Sequence, residues 1–394
     1  MADAEPDFPE AEYAARLERA QRAMHDRKLD ALLLMTEAEV RYFTGFRTLF
    51  WQSPTRPWFL IVPARGKPVA AVPEIGARLM RDTWLDDVRS WSSPHPDDDG
   101  ISLVRDVLQG LPKAHGKVGI PMGRESSLRM PLNDFRRLGD RLPGIAFVDA
   151  TPLIQALRVV KSAREIDRIA EICRIASDGF DNATALFHPG QPLDDAFRAF
   201  RIELLQRGAD DVPYLVGGAG PDGYGDVISP PGPQPIRPGD VLMLDTGATK
   251  RGYFCDFDRN FGFVHASDTA RRAYDTLWRA TEAALNAVRP GMTCAGLHRV
   301  MAEVIGQGDS DVGRFGHGLG MQLTEHPSLI GFDDTVLQAN MVITLEPSLT
   351  IRDGCIMVHE ENLVVRDGRP TLLSTRAPAE LPVLHGSGTD GTDR

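Results

Sequence analysis

Two stretches of this chain repeat one layout of acids on strand-like sequence, and that repetition limits what the fold can be. VLMLDTGATKRGYFCD (residues 241–256) carries Asp245 at the end of an apolar run, a Gly-containing turn, and Asp256 on the return. MVITLEPSLTIRDGCIMVHE (341–360) does the same with Glu346 and Glu360. Residues facing each other across an antiparallel hairpin keep a constant index sum. A turn centred on Lys250-Arg251 therefore sets Asp245 against Asp256, and one centred on Asp353 sets Glu346 against Glu360. Like charges opposed in a strand pair are destabilising, and burial among apolar residues raises the cost of each charge. A divalent cation removes the conflict, since carboxylate oxygens are hard ligands. For one such hairpin, carboxylates facing water are the plainer reading; two with the same placement turn the balance towards a metal site. In FGHGLG (315–320), His317 stands between glycines, where backbone can approach a ligand closely. Beside four acids, its imidazole is a fifth candidate ligand.

The rest of the chain supplies a soluble α/β setting. With 394 residues, two domains are expected. Apolar positions at helical spacing occupy 13–27, and short apolar runs at 31–35, 58–62 and 69–72 read as strands, the last two joined by Ala64-Arg65-Gly66-Lys67. Lys117 to Met122 reads as another strand. Ser162 and Glu165 form a capping box ahead of a helix whose buried stripe is Ile166, Ile169, Ala170 and Cys173. Helices are also expected over 269–288 and after Thr293. The Gly/Thr/Asp-rich C-terminal residues read as disordered. A formal charge of −11 disfavours nucleic acid as a partner. Cys173, Cys255, Cys294 and Cys355 lack Cys-x-x-Cys spacing, so neither a disulfide scaffold nor a zinc ribbon is indicated. MADAEPDFPE has no signal-peptide core, and no apolar run approaches the roughly 20 residues that span a bilayer. The expectation is a cytoplasmic protein without membrane contact.

LDTGATKRGYFCDFDR, GHGLG, ITLEPSL and VHEENLVV, in that order, resemble the metal motifs of the creatinase / aminopeptidase P / prolidase family, and LRVVKSAREIDRIAEI resembles the opening helix of its catalytic domain. The resemblance covers essentially the whole chain. It implies an α/β (α+β) protein: a creatinase-like N-terminal domain over 1–158, a pita-bread metallohydrolase domain over 159–378, and a tail over 379–394. It implies two divalent ions, with manganese expected and cobalt, zinc or iron as alternatives. Asp245 would bind one ion, His317 and Glu346 the other, with Asp256 and Glu360 bridging. A bridging hydroxide would attack an amide carbonyl in a dipeptide or similar small carboxylate-bearing substrate, Glu346 moving the proton. The family also implies a homodimer whose N-terminal domain covers the partner's site. There an arginine, here Arg56, would bind the substrate carboxylate, in an aromatic segment that includes Trp51.

The chain departs from the family at two accessory histidines that handle the scissile peptide. Their positions hold Ile228 and Thr324. His326 either substitutes for the missing group or sits in a loop. Lyases of dimethylsulfoniopropionate are built on the same fold with metal retained and use a carboxylate base near the Gly-His-Gly motif. Glu325 is the corresponding candidate here, so lyase chemistry on a small zwitterion is the alternative activity. A metal-free creatinase-type hydrolase and a non-catalytic binding protein rank below both, because all five ligand positions are intact.

Overall fold

A computed structural model of the chain describes residues 7–53, 57–306 and 313–385. These residues divide into two compact units between Arg158 and Val159. The sequence reads each as α with β, and each is built that way.

In the first unit, the helix Glu10–Asp26 buries Tyr13, Leu17, Ala20 and Met24, the stripe expected from their spacing. Six strands, β1 (Ala31–Leu34), β2 (Phe59–Pro63), β3 (Val69–Pro73), β4 (Asp87–Trp91), β5 (Lys117–Ile120) and β6 (Ala146–Asp149), form one sheet in the order β4-β3-β2-β1-β5-β6. β2 and β3 pair antiparallel across the short polar turn. The pairs β3–β4, β1–β5 and β5–β6 are parallel, and helices occupy the connections β3 to β4 and β5 to β6. Every residue of β1 and β2 is buried, which is why these strands read as continuous apolar runs rather than alternating ones.

The second unit opens on the helix Ala163–Phe180. Its capping box is closed on both sides: Ser162 Oγ accepts from the Glu165 amide at 3.2 Å, and Glu165 accepts from the Ser162 amide at 2.9 Å. β7 (Asp211–Pro221), β8 (Asp240–Lys250), β9 (Tyr253–Phe254) and β10 (Phe257–Phe263) follow, then the helices Asp268–Ala287 and Cys294–Ile305, capped by Ser267 and Thr293. After them come β11 (His317–Gly318), β12 (Glu325–Ser328), β13 (Val342–Leu345), β14 (Ser348–Arg352), β15 (Cys355–Val358), β16 (Glu361–Val364), β17 (Thr371–Leu372) and β18 (Val383–Leu384). One sheet runs β18-β10-β8-β7 with β9 on β8, a second β12-β11-β13-β16-β17, and β14 pairs with β15. Leu277, Ala280, Leu297 and Met301 of the two helices share a core with Ile343, Leu345 and Leu363 of the second sheet.

The start of the expected tail is ordered. Leu381 is buried, and Val383–Leu384 pairs in parallel with β10. Composition averaged over 379–394 hides the apolar Leu381-Pro-Val-Leu384 stretch, which has surface to bury; residues 386–394 lie outside the described residues.

Candidate metal centre

The first acidic hairpin is real, with its pairing displaced by two residues from the expected one. Arg251 and Gly252 both take left-handed backbone (φ 47° and 77°), as the two-residue turn that fits strand twist requires. Lys250 therefore faces Tyr253, Thr249 faces Phe254, and Asp245 faces Asp258 rather than Asp256. Because side chains alternate with period two, this displacement by two keeps Asp256 on the face that carries Asp245. Asp256 itself lies between β9 and β10, and its amide bonds Asn362 Oδ1 at 3.0 Å. In the second hairpin, Leu345 faces Glu361 on one side and Ser348 faces Val358 on the other. Both pairs have the expected register, which sets Glu346 across from Glu360 where the ladder passes from β13–β16 to β14–β15.

The two hairpins and the Gly-His-Gly strand converge. Asp256, His317 and Glu360 are buried, with one ligand atom from each lying within 4.8 Å of the others. His317 Nε2 is 3.2 Å from Asp256 Oδ2 and 3.9 Å from Glu346 Oε2. His317 Nδ1 lies 2.8 Å from the Gly318 carbonyl, which can only accept, so Nδ1 carries the proton and the Nε2 lone pair is turned to the carboxylates. Asp245 and Glu346 are half-buried and form the accessible side of the cluster.

The glycines have a different task from the one their sequence suggested. A Cβ on Gly316 (φ 138°) would lie 2.3 Å from the Thr344 carbonyl oxygen, and one on Gly318 would lie 2.3 Å from that of His326. They permit close approach of neighbouring strands, which holds His317 in place, rather than approach to a ligand.

So many carboxyls in one place resist ionisation. Asp245 is raised well above the usual carboxylate range by burial, then by Asp256 and Glu346. Glu360 is raised by burial, then by Asp256, Glu346, Asp245 and Asp258. Burial also raises Asp256, opposed by Arg314, and raises Glu346, opposed chiefly by His317. Asp245 Oδ1 and Glu360 Oε1 are buried without a hydrogen-bond partner. Buried oxygens left unmatched are costly. Divalent cations fit this donor set: four carboxylates and a neutral imidazole offer the oxygen and nitrogen ligands that such ions accept.

Around the five stand groups the sequence did not reveal. Tyr214 of β7 lies in the field of the cluster: burial, then Asp245 and Asp256, push its phenol far above the ordinary value. Asp258 Oδ1 accepts from the Glu360 amide at 2.6 Å. Arg259 donates to the Glu360 carbonyl at 3.0 Å and pairs with Glu361 at 3.0 Å. Asn362 bridges from β16 to the Asp256 backbone in both directions. Asp258 and Glu361 could have been suspected as second acids beside Asp256 and Glu360. Tyr214 carries no local signal, since only the β7–β8 pairing brings it there.

Glu325 and His326 are engaged elsewhere. Glu325 is buried, with Oε2 3.1 Å from Lys161 Nζ and Oε1 accepting from the Met321 and Gln322 amides at 2.8 and 3.2 Å. A carboxylate so engaged anchors the turn after His317, which is not the setting of a general base. The His326 ring lies 3.4 Å from Thr335 Oγ1. Of the two displaced histidine positions, Ile228 is 73% exposed, and Thr324 Oγ1 accepts from Arg314 Nη2 at 3.1 Å. Arg56 lies outside the described residues. Trp51 belongs to a ring cluster of the first unit, 5.7 Å from Trp58 between centroids, with the Arg129 guanidinium 5.0 Å above it.

Comparison with known proteins agrees with this geometry. The profile of metallopeptidase family M24 matches residues 167–367, and that of the creatinase/prolidase N-terminal domain matches 16–160. The probable dipeptidase PepE of Mycobacterium tuberculosis is 28% identical over 352 residues, covering 86% of this chain and 88% of that protein. The Xaa-Pro dipeptidase of Pyrococcus furiosus is 23% identical over 376 residues, covering 91% and 98%. Among solved structures, dipeptidase PepE from Mycobacterium ulcerans superposes with a TM-score of 0.83 at 26% identity, covering 96% of this chain and 99% of that one. A prolidase from Thermococcus sibiricus superposes at 0.84 with 23% identity, over 94% and 99%.

Proposed function

This chain belongs to metallopeptidase family M24, and from that membership we propose that it is a dipeptidase working with two divalent cations. It is a metallohydrolase with a creatinase-type N-terminal domain and a pita-bread catalytic domain. The observation that carries the proposal is the buried group of Asp256, His317 and Glu360, with Glu346 3.9 Å from His317 and buried oxygens of Asp245 and Glu360 left unmatched, inside the segment that the family profile covers.

These five residues would hold the cations, which would supply a water nucleophile usable at neutral pH and positive charge against the developing oxyanion. Glu346, half-buried on the accessible side, moves the proton towards the leaving amine. Asp258 holds the Glu360 amide, and the Gly318 carbonyl fixes the His317 tautomer. Lyase chemistry is the weaker reading, since it asks Glu325 to act as a base while Lys161 and two amides hold it. Manganese as the native ion, a homodimer and a cytoplasmic location are parts of the same proposal.

The test is hydrolysis of a dipeptide panel, Xaa-Pro included, by protein loaded with manganese or cobalt, with metal content read by mass spectrometry. Close to two ions per chain and metal-dependent cleavage are expected, and Asp256→Ala should lose both. Protein that takes up no metal, or cleaves equally well after chelation, would overturn the proposal. Light scattering tests the dimer.

A further inference from the structure

The three buried members of the metal centre all sit where a strand ladder is interrupted. Asp256 stands between β9 and β10, Glu360 between β15 and β16, and His317 at a register shift between β11 and β12. Interruptions of this kind take the ladder partner away from a buried amide, and a buried N–H left unbonded is costly. Each of the three amides is taken by a side-chain oxygen instead. Asn362 Oδ1 accepts from Asp256 at 3.0 Å, Thr344 Oγ1 from His317 at 3.1 Å, and Asp258 Oδ1 from Glu360 at 2.6 Å.

The acceptors come from the ligand-bearing segments themselves. Asn362 lies two residues after Glu360, Asp258 two after Asp256, and Thr344 two before Glu346. Residues two apart in extended chain share a face, so each acceptor looks the way its own ligand looks and meets the backbone of a ligand on another segment. Thr344 and Asn362 face each other across β13 and β16, so one cross-strand pair serves both His317 and Asp256. Asn362 also donates to the Asp256 carbonyl, and Arg259 donates to the Glu360 carbonyl at 3.0 Å, which holds these two ligands on both sides of the residue. The Asn362 side chain is itself fixed, since its Oδ1 accepts from Cys173 Sγ at 3.3 Å as well. Thr344, Asn362 and Asp258 are all buried. Carboxylates gathered without cations repel and would swing apart on a free backbone. With their amides held, the ligand atoms of Asp256, His317 and Glu360 stay within 4.8 Å of one another, and less ordering is left for ion binding to impose.

Resting on the metal-centre reading above, we propose that Thr344, Asn362 and Asp258 are positioning residues, a ring of amide clamps that sets His317, Asp256 and Glu360 in their ion-binding arrangement ahead of the ions. They act through the ligands and not on the substrate.

The experiment follows residue-resolved hydrogen exchange in metal-free wild type and compares manganese affinity by calorimetry across four variants, Thr344→Val, Thr344→Ser, Asn362→Leu and Thr44→Val. The amides of Asp256, His317 and Glu360 should be protected in wild type without metal. Thr344→Val keeps the shape and loses the hydroxyl; it should weaken affinity about 10–100-fold and free the His317 amide to exchange. Asn362→Leu should do the same at Asp256. Thr344→Ser keeps the acceptor and should stay within about threefold of wild type. Thr44 is a buried threonine of the other unit whose Oγ1 accepts from the Phe46 amide at 3.0 Å. Thr44→Val should lower stability and leave metal affinity unchanged. Rapid exchange of the three amides in metal-free wild type would overturn the inference, as would unchanged affinity in Thr344→Val and Asn362→Leu, or an equal loss in Thr44→Val. Metal uptake by wild type keeps the metal-centre reading intact in each of those cases. Wild type that binds no metal would remove both.

Discussion

Replacing Asp256 by asparagine should stabilise the metal-free protein at alkaline pH, although it removes a proposed ligand. The carboxylates of Asp256 and Glu360 offer oxygens within 4.8 Å of each other. At an effective dielectric constant of about 20, two full charges at that separation repel by about 3 kcal/mol. Protonation offsets part of this, because burial holds Asp245, Asp256 and Glu360 well above the usual carboxylate range, with neighbouring carboxylates adding to the rise of Asp245 and Glu360. A group whose folded value is raised contributes stability below its unfolded value, and that contribution is lost as pH rises through the folded value. Metal-free wild type should therefore weaken from about pH 4 upward. Asp256→Asn escapes one of these losses, and its amide can donate to His317 Nε2, which faces Oδ2 at 3.2 Å. An advantage of about 1–3 kcal/mol is expected at pH 8, shrinking at pH 5. With saturating manganese the order should reverse, because a ligand is missing. Urea denaturation followed by hydrogen exchange in β8 and β10, after chelation and again with metal, reads all three quantities. A metal-free Asp256→Asn variant no more stable than wild type at pH 8 would show that the carboxylates do not strain one another.

Lys161→Met leaves Glu325 buried without its partner, with side-chain exposures of 1% and 6% in the native pair. The expected loss is about 3–5 kcal/mol in chemical denaturation, and less than about 1 kcal/mol would mean that the pair does not hold the turn. Asp258→Ala should weaken metal affinity about 10–100-fold by calorimetry, the usual effect of removing a group that orients a ligand, since Asp258 Oδ1 accepts from the Glu360 amide at 2.6 Å. An unchanged affinity would leave Asp258 without that role. Gly316→Ala places a methyl 2.3 Å from the Thr344 carbonyl oxygen on backbone at φ 138°. It should cost at least about 2 kcal/mol and reduce bound metal. Native metal content would show that β11 and β13 can separate.

The sequence by itself determined the parts of this protein that follow from local periodicity. Apolar runs gave β1, β2 and β3 of the first sheet, the Ser162/Glu165 box began its helix, and the index sum of the second hairpin set Glu346 across from Glu360. For the first hairpin it fixed the face of Asp256 and not its partner. Alternation with period two is a local property, whereas register depends on where the turn closes, here at Arg251-Gly252. The family motifs likewise named the five proposed ligands, because each is embedded in a recognisable local string. Only the tertiary structure decided what surrounds them. Tyr214 enters the field of Asp245 across a strand pair, Glu325 meets Lys161 164 positions away, and Thr324 orients Arg314 from the far side of the His317 turn. Those contacts join residues on separate elements, and no string of neighbours encodes which separate elements will meet.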